Sequence, residues 1–182
     1  MTNKLVVNGQ AIELVQGDVT NQSVDAIVNA ANSRLAGGAG VDGAIHDRGG
    51  PTIMAETRRR YPDGCPTGSA VISGAGELPA SYVIHAVGPI WHGGESGEAA
   101  QLTSAHRRCL ELAVENDCAS IAFPAISTGV YEYPVNEAAV VALGTSYEFL
   151  HEFGKPSLIR FVLFSREALE SFAAAFHSID RS

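Results

Sequence analysis

Short apolar runs alternate with helically spaced stripes along nearly all of the 182 residues, and this alternation restricts the fold more than any other feature. Leu5-Val6-Val7 and Ile12-Glu13-Leu14-Val15 flank Asn8-Gly9, a hairpin signal. Ala26–Val28, Ala70–Ser73, Tyr82–Val87, Ser120–Phe123 and Leu158–Phe164 read as further strands. The last four are mostly apolar and rich in β-branched or aromatic residues, as strands buried on both faces are. Leu102, Ala105, Cys109 and Leu112 recur at helical spacing after the Gly93–Gly97 loop. Val140, Leu143, Tyr147 and Leu150 do so before Gly154-Lys155-Pro156, a Gly-then-Pro stop. Ser165 suits the N-cap of a last helix whose Leu169, Phe172, Ala173 and Phe176 form one stripe. All three stripes are expected in the core. No repeat, low-complexity tract or linker interrupts the pattern, so the expected fold is α/β: one domain over residues 1–182, with a mixed, mostly parallel central sheet and helices on both faces.

Composition narrows the partners. A 19.1 kDa chain is expected to expose roughly 8,400 Å² and can bury a full core. A net charge of −8 argues against nucleic acid, which needs neutralising cations; the one basic run, Arg58-Arg59-Arg60, suits a helix C-terminus. No apolar run reaches the ~20 residues of a membrane span, and Met-Thr-Asn-Lys leads into a strand-like segment with no cleavage-site pattern, so a cytoplasmic location is expected. Cys65, Cys109 and Cys118 are odd in number and form no C-x-x-C pair, which signals free thiols and neither a disulfide framework nor a zinc site.

In a sheet of this kind, ligand loops gather where strands end and helices begin. Three junctions stand out: Gly17-Asp18-Val19-Thr20, the stretch Asn29–His46, and Pro124–Tyr131. Gly38-Ala39-Gly40-Val41-Asp42-Gly43 matches G-x-G-x-x-G, but nine residues separate it from the strand end at Val28, whereas a dinucleotide fingerprint follows its strand at once. No G-x-x-x-x-G-K-[ST] is present either. Neither Ala36–Asp42 nor Ser127–Tyr131 holds Lys or Arg, so a phosphate there would rest on backbone N–H groups and helix N-terminal dipoles. Such a site suits a diphosphate inside a larger ligand. The alternative for either loop taken singly is that its glycines only make turns.

Gly17-Asp18-Val19-Thr20, Val28-Asn29-Ala30-Ala31-Asn32, Gly37-Gly38-Ala39-Gly40-Val41-Asp42-Gly43-Ala44-Ile45-His46, Cys65-Pro66-Thr67-Gly68, Tyr82–Pro89 and Ala125–Tyr131 together resemble the macrodomain family. The likeness is to its MacroD-type branch, the ADP-ribose and O-acetyl-ADP-ribose hydrolases, and runs in the family's order from about Ile12 to Phe164. It implies a single macrodomain that removes mono-ADP-ribose from Glu and Asp side chains and deacetylates O-acetyl-ADP-ribose. ADP-ribose, its esters and ADP-ribosylated proteins would be the partners, with no metal and no cofactor. A reader that binds ADP-ribose without turnover is the alternative, since one fold hosts both.

Residue by residue, the resemblance puts Asp18 and the Val19 N–H at adenine, with a helix cap as the other reading of Asp18. Gly37, Gly38, Ala39, Gly40 and Val41 would form one phosphate loop. Ser127, Thr128, Gly129, Val130 and Tyr131 would form the second, Tyr131 packing on the distal ribose or else in the core. Asn32, Asp42 and His46 are the expected catalytic residues. Asn32 and Asp42 face the ribose, and His46 lies one turn along from Asp42, as a hydrogen-bonding partner or a structural histidine. Asn29 supports the loop from behind or touches the ligand. His85, in mid-strand, is assigned to structure. Two positions depart from the family pattern: Ala39 and Glu132 stand where glycine is usual. An inward Glu132 carboxylate would oppose the diphosphate, and an outward one would leave a backbone effect; both imply weaker binding.

Overall fold

The computed structural model describes residues 3–179. Along them run β1 (Lys4–Val7), β2 (Gln10–Gln16), β3 (Ala26–Ala30), α1 (Gly40–Gly49), α2 (Pro51–Arg60), β4 (Ala70–Gly74), β5 (Tyr82–Ala86), α3 (Glu98–Glu115), β6 (Ser120–Phe123), α4 (Val135–Phe153), β7 (Leu158–Leu163) and α5 (Arg166–Ile179). Asn8 and Gly9 both take left-handed φ, 51° and 84°, which a two-residue hairpin turn requires, and they pair Val7 with Gln10. The seven strands form one sheet in the order β1-β2-β7-β6-β3-β5-β4. β2, β7, β6, β3 and β5 are mutually parallel, and antiparallel β1 and β4 close the two edges. The expected mixed, mostly parallel sheet is therefore present.

Strict alternation along the strands sends neighbouring residues to opposite layers. Ala26, Val28, Ile121, Phe123, Phe161 and Leu163 pack with α3, α4 and α5; Ile27, Val83, Ala122 and Val162 pack with Ile45 of α1 and Ile53 of α2. Helices thus cover both faces. The accessible surface, 8,595 Å², is close to the expected value. The last helix begins as its sequence indicates, with Ser165 Oγ accepting from Ala168 N at 3.1 Å.

Two expectations fail. Leu143 and Leu150 of the expected α4 stripe are buried and Tyr147 packs against the core, but Val140 is 58% exposed; Ala138, Ala139, Ala142 and Phe149 complete the buried face. Small alanines let α4 sit close to α3 and α5, which turns Val140 outward. The last strand stops at Leu163, and Phe164 is 82% exposed.

No helix among the described residues is long and apolar enough to cross a membrane. Cys65, Cys109 and Cys118 are buried free thiols whose pKa values burial pushes up, that of Cys118 to about 11.

Candidate functional site

The C-terminal ends of β2, β3, β6 and β7 open on one cavity of about 720 Å³, and the three junctions all reach it. Gly17 N donates to Leu163 O at 3.0 Å, so Asp18 and Phe164 emerge side by side from paired strands. Both line the cavity, as does Val19, the first residue of a short 3-10 turn over Val19–Asn21. Asp18 caps that turn: Oδ1 accepts from Thr20 N at 2.9 Å and Thr20 Oγ1 at 2.6 Å. Its Oδ2 lies 3.5 Å from Arg48 Nη2. Burial works against the charge, yet these bonds from Thr20 and the Arg48 guanidinium hold the carboxyl below its usual range. Capping and cavity lining, posed as alternatives, coexist in one residue. Sequence reasoning missed Phe164. No local signal marked it, since the apolar run of β7 continues through Phe164.

The first loop runs from Ala31 into α1. Gly37 and Gly40 take positive φ, 79° and 61°, whereas Ala39 is extended at φ −92° and its methyl is accepted without strain. Ala39 caps α1 without a side-chain bond, which leaves the first N–H groups of that helix directed at the cavity. Asn32 lines the cavity, but both ends of its carboxamide serve the loop. Nδ2 donates to Gly37 O at 2.9 Å and Oδ1 accepts from Ala36 N at 3.1 Å. The helix lies so close that a Cβ on Gly43 would stand 2.7 Å from Gly38 O.

Asp42 is buried on the cavity wall. Its Oδ1 accepts from Asn29 Nδ2 at 2.9 Å and lies 3.3 Å from His46 Nε2. Its Oδ2 faces the loop, 3.3 Å from where a Cβ of Gly38 would stand. Asn29, Gly37 and His46 do not line the cavity. Asn29 is wholly buried and supports Asp42 from behind; Gly37 turns the loop over Met54; His46 reaches Asp42 from the next turn of α1.

In the second loop Ser127 takes φ 68°, and its buried Oγ has no hydrogen-bond partner. Gly88 makes room for it, since a Cβ there would meet that oxygen at 2.2 Å. Main-chain bonds shape the rest: Glu132 N to Gly129 O at 2.9 Å, Tyr133 N to Ser127 O at 3.0 Å, and Trp91 N to Tyr131 O at 2.8 Å. Trp91 also packs on Tyr133, ring centroids 4.6 Å apart. Ser127, Thr128, Gly129, Val130 and Tyr131 all line the cavity, Val130 as an 88% exposed rim. Glu132 is exposed and off the cavity wall, at φ 58°, which is the outward alternative, in which only the backbone is constrained. None of the lining residues is Lys or Arg. Among the described residues no three His, Cys, Asp or Glu are grouped to hold a metal ion.

Known proteins are similar to this chain in sequence and fold. Residues 28–142 match the Macro domain family model. A macro domain-containing protein of Caldanaerobacter subterraneus is 51% identical over 174 residues, 94% of this chain and 99% of its own length. A protein of Enterobacter cloacae named O-acetyl-ADP-ribose deacetylase is 51% identical over 163 residues, 88% of this chain and 91% of that one. Among solved structures, the Oceanobacillus iheyensis macrodomain with ADP superposes with a TM-score of 0.93 at 39% identity, covering 98% of this chain and 96% of that one. The Trypanosoma brucei macrodomain in complex with ADP-ribose gives 0.85 at 39% identity, covering 91% and 68%. With the family model matching more than half of the chain and relatives 51% identical over nearly the whole length, the chain belongs to the macrodomain family.

Proposed function

We propose that this chain is a hydrolase that binds ADP-ribose in the cavity and deacetylates O-acetyl-ADP-ribose, and that it also cleaves the ester joining mono-ADP-ribose to Glu and Asp side chains of proteins. One observation carries the reading: a buried carboxylate, Asp42, stands on the wall beside an uncapped helix N-terminus, one oxygen tied back and the other facing the loop. In the proposed pose adenine lies between Asp18 and Phe164, the diphosphate rests on the N–H groups of the two glycine loops, and the distal ribose reaches Asp42 and Tyr131. Water adds to the acyl carbon, the bond from that carbon to the ribose oxygen breaks, the ribose oxygen takes up one of the water's protons, and acetate or the protein carboxylate leaves as the other proton passes to solvent. Asp42 Oδ2 accepts a hydrogen bond from that water or from the ribose hydroxyl, and Asn32 keeps the loop in shape for both. The buried free thiols suit a cytoplasmic location.

The test follows two substrates and one ligand. Acetate release from O-acetyl-ADP-ribose and ADP-ribose release from a glutamate-modified protein are expected, with ADP-ribose binding titrated alongside. Binding without either release would leave a reader module and defeat the enzyme reading.

A further inference from the structure

Behind the cavity wall a row of buried polar side chains crosses three strands and ends on the edge strand β4. Asn29 on β3 stands opposite His85 on β5 in the parallel register, and its Nδ2 lies 3.2 Å from His85 Nδ1 as well as 2.9 Å from Asp42 Oδ1. His85 Nε2 lies 2.8 Å from Ser73 Oγ on β4, and that hydroxyl donates to Gly74 O at 3.0 Å. Proton accounting leaves one arrangement. The Asn29 amide has two N–H hydrogens, one for Asp42 and one for His85, so Nδ1 of His85 must carry a lone pair. Its proton is then on Nε2 and goes to Ser73 Oγ, whose own proton is committed to Gly74 O.

Turning the amide round would set its carbonyl oxygen against the Asp42 carboxylate. As it stands, Asn29 Oδ1 is buried with no partner, so the amide is held for its N–H side at the expense of its oxygen. Burial keeps His85 neutral by pushing its pKa down to about 4; the nearby His46 acts in the same sense, while Asp42 and Glu56 oppose it.

We propose that His85 is a positioning residue for Asp42. Its Nε2–H tautomer, fixed by Ser73, presents the acceptor that orients the Asn29 amide, and Asn29 then restrains Oδ1 so that Oδ2 is left for the reacting ribose and water. The inference rests on the enzyme reading above.

Two measurements test it. Long-range proton–nitrogen NMR of the full chain at neutral pH should find His85 neutral with its proton on Nε2; an Nδ1–H tautomer or an imidazolium overturns the proposal. Steady-state kinetics with O-acetyl-ADP-ribose then compare His85→Leu, which lacks the acceptor, with His85→Asn, whose amide oxygen can stand where Nδ1 stood. His85→Leu should lose about tenfold or more in kcat with KM within about threefold, because small misplacements at a reacting centre are costly, and His85→Asn should recover most of that loss. Wild-type turnover together with equal kcat in the two variants overturns this inference alone. A wild-type protein that releases no acetate overturns the enzyme reading itself.

Discussion

Asn32 bridges Ala36 and Gly37 in the first glycine loop, Asn29 and His46 tie down Asp42 at its end, and Gly43 lets α1 press against Gly38. The second loop, from Pro124 to Tyr133, is held mainly by its own main chain, by the bond from Trp91 N, and by two non-glycine residues in left-handed conformation, Ser127 and Glu132. A loop clamped by side chains fails when a side chain is truncated. One set by backbone conformation tolerates truncation and responds instead to changes in φ preference.

The largest effect should come where the first loop meets the chemistry. Asp42→Ala is expected to lower O-acetyl-ADP-ribose turnover ~10²-fold or more in a protein that still folds, since an oriented polar group at a reacting centre is lost. Rates within about twofold of wild type would remove Asp42 from the mechanism.

The comparison itself is tested by a pair of truncations read by calorimetric titration of ADP-ribose. Asn32→Ala removes both clamps and should weaken binding about tenfold or more, at roughly 0.5–1.5 kcal/mol for each bond. Thr128→Ala removes a single bond, from Oγ1 to Ala125 O at 2.8 Å, in a loop otherwise held by main chain, and should change affinity less than about threefold. Equal losses would break the distinction.

Asp18 belongs to neither loop and serves as a reference. Asp18→Ala should weaken ADP-ribose by about tenfold, the worth of a charge-assisted hydrogen bond, while leaving ribose-5-phosphate unaffected. Unchanged ADP-ribose affinity in a folded variant would remove Asp18 from the adenine site.

The smallest effect sharpens the account of the second loop. Glu132→Gly relieves a left-handed φ of 58° and should stabilise the fold by about 1 kcal/mol, or raise Tm by roughly 2–4 °C. Because the side chain is exposed and off the cavity wall, any gain in ADP-ribose affinity should be equal at low and high salt. A gain confined to low salt would show that the carboxylate does reach the ligand.

What could be read from the sequence was whatever depends on neighbours along the chain. The hairpin at Asn8-Gly9, the Gly154 stop and the Ser165 cap all follow from local conformational preference. What could not be read depends on contacts across the sheet. Val140 fits a helical stripe as well as Leu143 does, and only the packing of α4 against α3 and α5 turns it outward. Phe164 continues an apolar run yet leaves the strand. His85 looks like an ordinary buried histidine until β3 and β4 bring Asn29 and Ser73 to its two ring nitrogens. Asn32, expected at the ribose, has its carboxamide turned to the loop backbone, a contact that spacing alone does not distinguish from ligand binding.

A cavity lined by no cation bears on which nucleotides can compete for it. Adenosine triphosphates carry the adenosine diphosphate portion of ADP-ribose with a third phosphate in place of the distal ribose. A pocket built on lysines would reward their extra negative charge. Main-chain N–H groups and helix dipoles act over a short range and add little for a further phosphate. In the pose proposed here, that phosphate would meet the Asp42 carboxylate where a sugar hydroxyl can donate a hydrogen bond instead. The carboxylate at the reacting end would therefore also act as a gatekeeper, favouring a sugar over a third phosphate at that position.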